Sequence, residues 1–97
     1  MKLEAQNIQK IIVDAADETN PAFADEIREH GRGTVLFGGE ATLDSLGLVT
    51  LVAAVEARLQ DKTGNDILLV NEDAMSRSRS PFRTVGTLIE YALERLK

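Results

Sequence analysis

The chain has 97 residues, of which 43% are hydrophobic and 28% are charged, values that are typical of one globular domain rather than of a disordered or membrane protein. Its net charge of −5 and its lack of Trp argue against a nucleic-acid partner, since nucleic acids are bound through Lys, Arg and aromatic side chains. The lack of Cys excludes disulfides, thiolate metal ligands and a thiol nucleophile within the chain. We therefore expect residues 1–97 to form a single domain.

The N-terminal stretch MKLEAQNIQKIIVDAADE carries acidic residues where a secretory signal would be apolar. No apolar run approaches the roughly 18 residues that span a bilayer. We therefore expect a cytoplasmic protein without membrane insertion. Charge is uneven, with 14 acids and 6 bases in residues 1–73 but 2 acids and 5 bases in residues 74–97, so an acidic partner would meet the C-terminal end.

Residues 3–16 repeat apolar side chains at the three- and four-residue spacing of one helical face. These side chains are Ile8, Ile11, Ile12, Ala15 and Ala16. The helix should stop before Asn20-Pro21, because acids gather near its C-terminal end and the residue before a proline avoids helical geometry. A second, short helix is predicted from Pro21 to His30, with proline at its first position and Gly31 closing it.

Residues 31–43, GRGTVLFGGEATL, contain four glycines and no helical period. They predict a long loop pinned by Val35, Leu36 and Phe37, and long loops in small domains usually carry function or are disordered. A helix should follow over residues 45–60, where apolar positions again repeat at helical spacing. These positions are Leu48, Leu51, Val52, Val55 and Leu59.

Residues 67–70 are compatible with a short strand, but no second strand is available to pair with it, so we predict an extended loop. One helical turn capped by Asn71 and the polar connector SRSRSP should follow. The connector contains Arg77 and Arg79, which form a basic cluster with Arg83. We interpret this cluster as a solvated loop, with contact to a phosphate or an acidic partner as the alternative.

A last helix is predicted after Thr84, which would cap it. Its apolar face consists of Val85, Leu88, Ile89, Ala92 and Leu96. Amphipathic helices of this number and length must bury their faces against each other. The sequence therefore predicts an all-α fold, a small four-helix bundle with a long loop before the helix of residues 45–60, and we expect it to be a monomer.

The stretch ATLDSLGLVTLV places Asp44 and Ser45 at the start of that helix, where the simplest interpretation is a helix cap. Gly47 costs about 0.5–1 kcal/mol relative to Ala in a first helical turn, and such a glycine often marks a close approach of another molecule. A catalytic Ser45 would need an adjacent base, and His30, the only histidine, lies near a different helix end. A serine modified by another enzyme needs no such base, and a helix start favours a phosphate.

These features resemble the acyl carrier proteins, and the resemblance covers nearly the whole chain: DSL at 44–46, LFGG in the loop, LVTLVAAVEARL, and SPFRTVGTLIEYALERL at the end. It implies that Ser45 carries 4′-phosphopantetheine, attached from coenzyme A through a phosphodiester by a phosphopantetheinyl transferase. The terminal thiol of that arm would hold acyl groups as thioesters for acyl-loading and acyl-processing enzymes. The chain itself would not be an enzyme.

The resemblance also implies roles for the neighbours of Ser45. Asp44 would assist the transferase, for example by helping to hold its metal ion, and would cap the helix. Leu46 would be an exposed contact for partners, with a core position as the alternative. Interior residues would pack the core and shelter an acyl chain, and the opposite face would meet partner enzymes. The interior set is Leu48, Leu51, Val52 and Val55, and the partner-facing set is Gly47, Val49, Thr50, Ala53 and Glu56, continued by Ala57 and Gln60.

Two departures from typical fatty-acid carriers favour a specialised member. Thr42 stands where those carriers have glycine, and Glu56 and Arg58 are the only charged residues between positions 46 and 60, where those carriers have several acids. The cargo could be a fatty-acid, polyketide or unusual lipid intermediate, or an aminoacyl (such as D-alanyl) or peptidyl group. The alternative functions are an unmodified helical adaptor that binds partner proteins and, more remotely, a small hydrolase that uses Ser45.

Overall fold

A computed structural model describes residues 3–37, 42–64, 66–69 and 82–96, and these residues contain four α-helices. They are α1 (Ala5–Thr19), α2 (Pro21–His30), α3 (Ser45–Thr63) and α4 (Val85–Leu96), with a 3₁₀ turn, Gly31–Gly33, directly after α2. Within these ranges there is no strand, and no helix is long and apolar enough to cross a membrane. The predicted all-α bundle is confirmed.

Helix α1 is central to the bundle, because it packs against α2, α3 and α4. All five residues of its predicted apolar face are buried. Asn20 ends this helix and begins the next: its N–H donates to the Ala16 carbonyl at 2.7 Å, and its side-chain oxygen accepts from the Phe23 N–H at 3.2 Å. The predicted boundary at Asn20-Pro21 is therefore confirmed.

Helix α2 packs on α1 through Phe23, Ala24 and Ile27, all of which are buried. On its exposed side, Arg28 donates to Asp17 of α1 at 2.6 Å and to Asp25 of α2 at 3.0 Å. The hydrogen bond to Asp17 is the main reason why the pKa of Arg28 is raised above its ordinary value. The short helix is thus fixed to α1 by apolar packing and by an ionic contact at its edge.

Helix α3 extends three residues beyond its predicted end and stops at Gly64, whose φ of 74° gives the left-handed closing turn that glycine adopts readily. Its predicted core residues Leu51, Val52, Val55 and Leu59 are buried, whereas Leu48 is only half-buried. The prediction of its inward face is therefore confirmed except at the first turn, where Leu48 lies at the edge of the core.

Helix α4 begins as predicted, since the Thr84 hydroxyl accepts from the Thr87 N–H at 3.1 Å. Val85, Leu88, Ile89 and Ala92 are buried, and Leu96 is half-buried. Tyr91 is also buried, a position outside the predicted face. Its ring meets Phe82 edge to face with centroids 6.2 Å apart, so the aromatic pair holds the chain entering α4 against the helix.

The loop before α3 is held differently from the prediction. Leu36 is fully buried, but Val35 and Phe37 are 45% and 46% exposed, so only one of the three apolar residues anchors the loop in the core. Backbone pairing supplies the rest: the Leu36 N–H donates to the Arg83 carbonyl at 2.8 Å, and the Val85 N–H donates to the Thr34 carbonyl at 2.9 Å. This antiparallel bridge joins the loop to the start of α4.

Residues 66–69 have no regular secondary structure, in agreement with the extended loop predicted there. Ile67 and Leu69 are buried, while Leu68 between them is 58% exposed. The predicted helical turn at Asn71 and the SRSRSP connector, with Arg77 and Arg79, lie outside the described residues.

Candidate functional site

The start of α3 is organised by Asp44. Its carboxylate accepts from the Gly47 N–H at 2.7 Å, and its carbonyl accepts from the Leu48 N–H at 2.9 Å. Asp44 has extended backbone geometry, and Ser45 is the first helical residue. The predicted cap at the start of α3 is therefore made by the Asp44 side chain.

Ser45 lies between two exposed neighbours. Asp44 is exposed, and Leu46 is 79% exposed, which excludes the core alternative for that leucine. The first N–H groups of a helix have no acceptor within it, and they carry the positive end of the helix dipole. Asp44 satisfies the Gly47 N–H, but its own negative charge shares this helix end with any anion attached there.

An uncharged face continues from the helix start along α3. Val49 is 57% exposed, and the next residues of the same side are exposed as well. These are Thr50, Ala53, Ala57 and Gln60. We call Leu46, Val49 and these four residues the uncharged face of α3. Two exposed branched apolar side chains next to Ser45 are an arrangement suited to contact with another protein.

The two charged residues of this part of α3 are engaged inside the chain. Glu56, predicted to face partners, is half-buried, and its carboxylate accepts from the Leu69 N–H at 2.6 Å. Arg58 pairs with Glu18 of α1 at 2.5 Å. Glu56 therefore holds the loop after α3 in place, and its carboxylate is committed to that contact rather than to the uncharged face.

Gly47 lies close to the capping carboxylate. A Cβ atom at this position would lie 3.1 Å from the Asp44 Oδ1 atom and 3.4 Å from Leu43 Cδ2. The structure thus shows a close approach of the chain to itself at this glycine, and the approach of another molecule stays a prediction. The Asp44 carboxylate or the Leu43 side chain would have to shift by a few tenths of an ångström to admit a side chain at position 47, and a shift of the carboxylate would weaken the cap.

We expect Gly47→Ala to change the free energy of unfolding little in the wild type, because the gain in helix propensity and the loss of the cap are both about 1 kcal/mol. In an Asp44→Ala background the carboxylate is gone, and the same substitution should stabilise by about 0.5–1 kcal/mol. Urea unfolding of the four proteins of this double-mutant cycle measures the coupling. Equal effects of Gly47→Ala in both backgrounds would show that the glycine serves something other than the cap.

None of the contacts described for the other candidate residues places them at the start of α3. His30 is exposed at the end of α2, with Nε2 4.0 Å from the carboxylate of the neighbouring Glu29. Arg83 is exposed, and its carbonyl is used in the bridge to Leu36. A groove of about 570 Å³ lies between α1 and α2, and its cations Lys10 and Arg28 already pair with aspartates of those helices.

One contact at the site was not foreseen from the sequence. The Thr42 hydroxyl donates to the carboxylate of Glu26 on α2, so the chain is tied to that helix two residues before the cap. Residues 26 and 42 follow no periodic pattern that would pair them. Only the position of α2 beside the loop brings them together.

No protein-family model, curated protein or solved structure matches this chain.

Proposed function

We propose that the chain is a non-enzymatic carrier protein whose Ser45 accepts 4′-phosphopantetheine from coenzyme A. The observation that carries the proposal is the arrangement at the start of α3. A DSL tripeptide stands at the beginning of a long helix, its aspartate supplies the cap, and its serine is flanked by two exposed residues. The whole lies in a small helical bundle after a glycine-rich loop, as the resemblance to acyl carrier proteins requires.

The residues present fit the covalent group. Asp44 makes the cap, so the fold does not need the Ser45 hydroxyl for that purpose, and a phosphodiester at a helix start benefits from the unpaired N–H groups of the first turn. In the transfer, the Ser45 oxygen bonds to the phosphorus of the pantetheine phosphate, the pyrophosphate bond of coenzyme A breaks, adenosine 3′,5′-bisphosphate leaves, and the hydroxyl proton passes to the transferase. The attached arm supplies a thiol, which the Cys-free chain lacks.

The test is the intact mass of the full chain after incubation with coenzyme A and a phosphopantetheinyl transferase of broad specificity. We expect a mass increase of one phosphopantetheinyl group, located by fragmentation to the peptide that contains Ser45. Retention of the unmodified mass with several such transferases would contradict the proposal. It would favour the adaptor function, which the exposed Leu46 and Val49 would serve without any modification.

The uncharged face of α3 supports a specialised set of partner enzymes. Exposed charges steer encounters and determine their salt dependence. Since Glu56 and Arg58 are engaged within the chain, a partner with a basic docking patch would find no matching acidic residue on this face. The carrier would therefore rely on apolar and hydrogen-bonding contacts, with a polyketide, unusual lipid, aminoacyl or peptidyl cargo.

We expect the modified wild type to be a poor substrate for a fatty-acid malonyltransferase and Thr50→Glu/Ala57→Glu to be a better one at low ionic strength. Both positions are exposed on the uncharged face, so the new carboxylates would meet a basic enzyme surface. Transfer rates across a salt series measure the effect, with Thr50→Gln/Ala57→Gln as the uncharged control of similar size.

The gain of the acidic variant should disappear at high salt, because screening weakens contacts between exposed charges. A wild type that is loaded as well as a typical fatty-acid carrier, or an equal gain in the glutamine control, would show that charge on α3 does not select the partner enzymes.

A further inference from the structure

Glu26 of α2 contacts the segment that joins α2 to α3 at two residues, Thr34 and Thr42. Its main-chain carbonyl accepts from the Thr34 hydroxyl at 3.3 Å, a hydroxyl that also donates to the Gly31 carbonyl at 2.7 Å. Its side-chain carboxylate accepts from the Thr42 hydroxyl. Thr34 is 3% exposed, so its hydroxyl is shielded from water. Thr42 is exposed and Glu26 is half-buried, so the bond between them lies at the protein surface.

The contact with Thr42 is the first of three successive contacts that lead into α3. Leu43 follows and is buried in the core, at 5% exposure. Asp44 comes next and caps the helix through the Gly47 N–H. Ser45 is therefore presented by a segment that is fixed by one hydroxyl–carboxylate bond, one apolar anchor and one cap, each on a successive residue.

Helix α2 is a firm support for the first of these contacts. Phe23 and Ile27, the neighbours of Glu26 on its buried side, have 0% and 1% exposure, and Arg28 ties the helix to α1. A hydrogen bond to a carboxylate is roughly twice as strong as one between neutral groups. The hydrogen bond between Thr42 and Glu26 therefore links the position of α2 to that of the start of α3.

We infer that Glu26 is a positioning residue for the modification of Ser45: through Thr42 it holds the start of α3 in the orientation that the phosphopantetheinyl transferase binds. The inference rests on the proposed function. Without the bond, only part of the population presents the binding-competent orientation, and the apparent affinity for the enzyme falls by that fraction. The chemistry at Ser45 is unchanged once the complex has formed, so KM rises while kcat is retained.

The test is steady-state transfer from coenzyme A to the full-length chain, with the chain as the varied substrate. Glu26→Ala and Thr42→Val should each raise KM about three- to tenfold with kcat within about twofold, the range expected for loss of one hydrogen bond. Thr42→Ser restores the hydroxyl and should restore KM. Glu26→Ala/Thr42→Val should be no worse than either single variant, because both remove the same bond.

Glu29→Ala is the matched control, since this carboxylate lies on the same helix but is exposed, with the imidazole of the adjacent His30 4.0 Å away. It should leave KM unchanged. An unchanged KM in Glu26→Ala, no rescue by Thr42→Ser, or additive effects in the double variant would overturn the inference. Urea unfolding of each variant shows whether a change in KM comes from a general loss of stability instead.

Amide hydrogen exchange at Gly47 and Leu48 gives a readout that does not depend on the transferase. Asp44 protects these two amides by accepting their hydrogen bonds, and the bond from Thr42 to Glu26 holds Asp44 in place. Exchange should therefore be faster in Thr42→Val, which lacks the hydroxyl, than in Thr42→Ser, which keeps it. Equal rates would contradict a positioning role for Glu26. If the wild type is never modified, the proposed function fails, and the exchange rates still decide whether Glu26 fixes the start of α3.

Discussion

Ser45→Ala is expected to abolish attachment of phosphopantetheine, so that its intact mass stays unchanged under conditions in which the wild type gains one group. Alanine has no hydroxyl to form the bond to phosphorus. The two neighbouring described hydroxyls are already engaged, with Thr42 donating to Glu26 and Thr50 donating to the Leu46 carbonyl at 2.8 Å. A mass increase in the variant would show that another residue is the acceptor.

The same variant should remain folded. Ser45 is the first helical residue, and the cap belongs to Asp44, so alanine at position 45 should change the free energy of unfolding by no more than about 0.5 kcal/mol. Asp44→Ala removes the cap and should cost about 0.5–2 kcal/mol. Urea unfolding of both variants makes this comparison, and a larger loss for Ser45→Ala would mean that the serine has a structural role.

Asp44→Asn separates the two roles of the aspartate. Asparagine caps helices about as well as aspartate, so the free energy of unfolding should be retained. If Asp44 also assists the transferase through its charge, modification of Ser45 should slow in this variant although the fold is intact. Equal rates in the wild type and the asparagine variant would restrict Asp44 to capping.

Leu88→Ala is expected to cause the largest loss of stability, about 2–5 kcal/mol. The side chain is fully buried in α4, so its removal leaves a cavity in the core that α1 shares with α4. Val52→Ala, at 1% exposure in α3, should cost roughly 2 kcal/mol. The free energy of unfolding of a small domain is only about 5–15 kcal/mol, so either variant should unfold at a clearly lower urea concentration than the wild type.

Leu46→Ala is the matched control for Leu88→Ala, since it removes the same atoms from a side chain that is 79% exposed. It should change the free energy of unfolding by less than about 0.5 kcal/mol. Similar losses at positions 46 and 88 would mean that the inward and outward faces are assigned incorrectly. The same Leu46 variant should weaken contact with partner enzymes if the uncharged face is their docking surface.

The helices and their buried faces could be predicted from the sequence because both depend on local information. Apolar spacing placed Ile8, Ile11 and Ile12 inside, and Asn20-Pro21 and Gly31 marked the ends of α1 and α2 as the structure has them. The end of α3 was predicted three residues early, although Gly64 carries the signal for its closing turn. Propensity and capping act within one or two turns, where sequence order is also spatial order.

The candidate site was also predicted where it depends on neighbours in sequence. Asp44, Ser45 and Leu46 stand at the start of α3, and the cap spans only three residues. The tight contact that a side chain at position 47 would make was not predicted, because it requires the position of the Asp44 carboxylate relative to a Cβ atom that is absent. That distance follows from the cap geometry rather than from the residue pattern.

Contacts between distant residues were decided by the tertiary structure alone. The Glu56 carboxylate accepts a hydrogen bond from the Leu69 N–H, and the Glu26 carboxylate accepts one from the Thr42 hydroxyl. Leu36 pairs with Arg83 through the backbone, while Val35 and Phe37 are 45% and 46% exposed. Each partner lies more than ten positions away and follows no periodicity, so its identity depends on how α2, α3 and α4 pack against α1. The sequence by itself determined the helices, their inward faces and the motif at Ser45. Packing determined which polar groups hold that motif in place, because a polar side chain selects its partner only after the apolar faces have brought the two together.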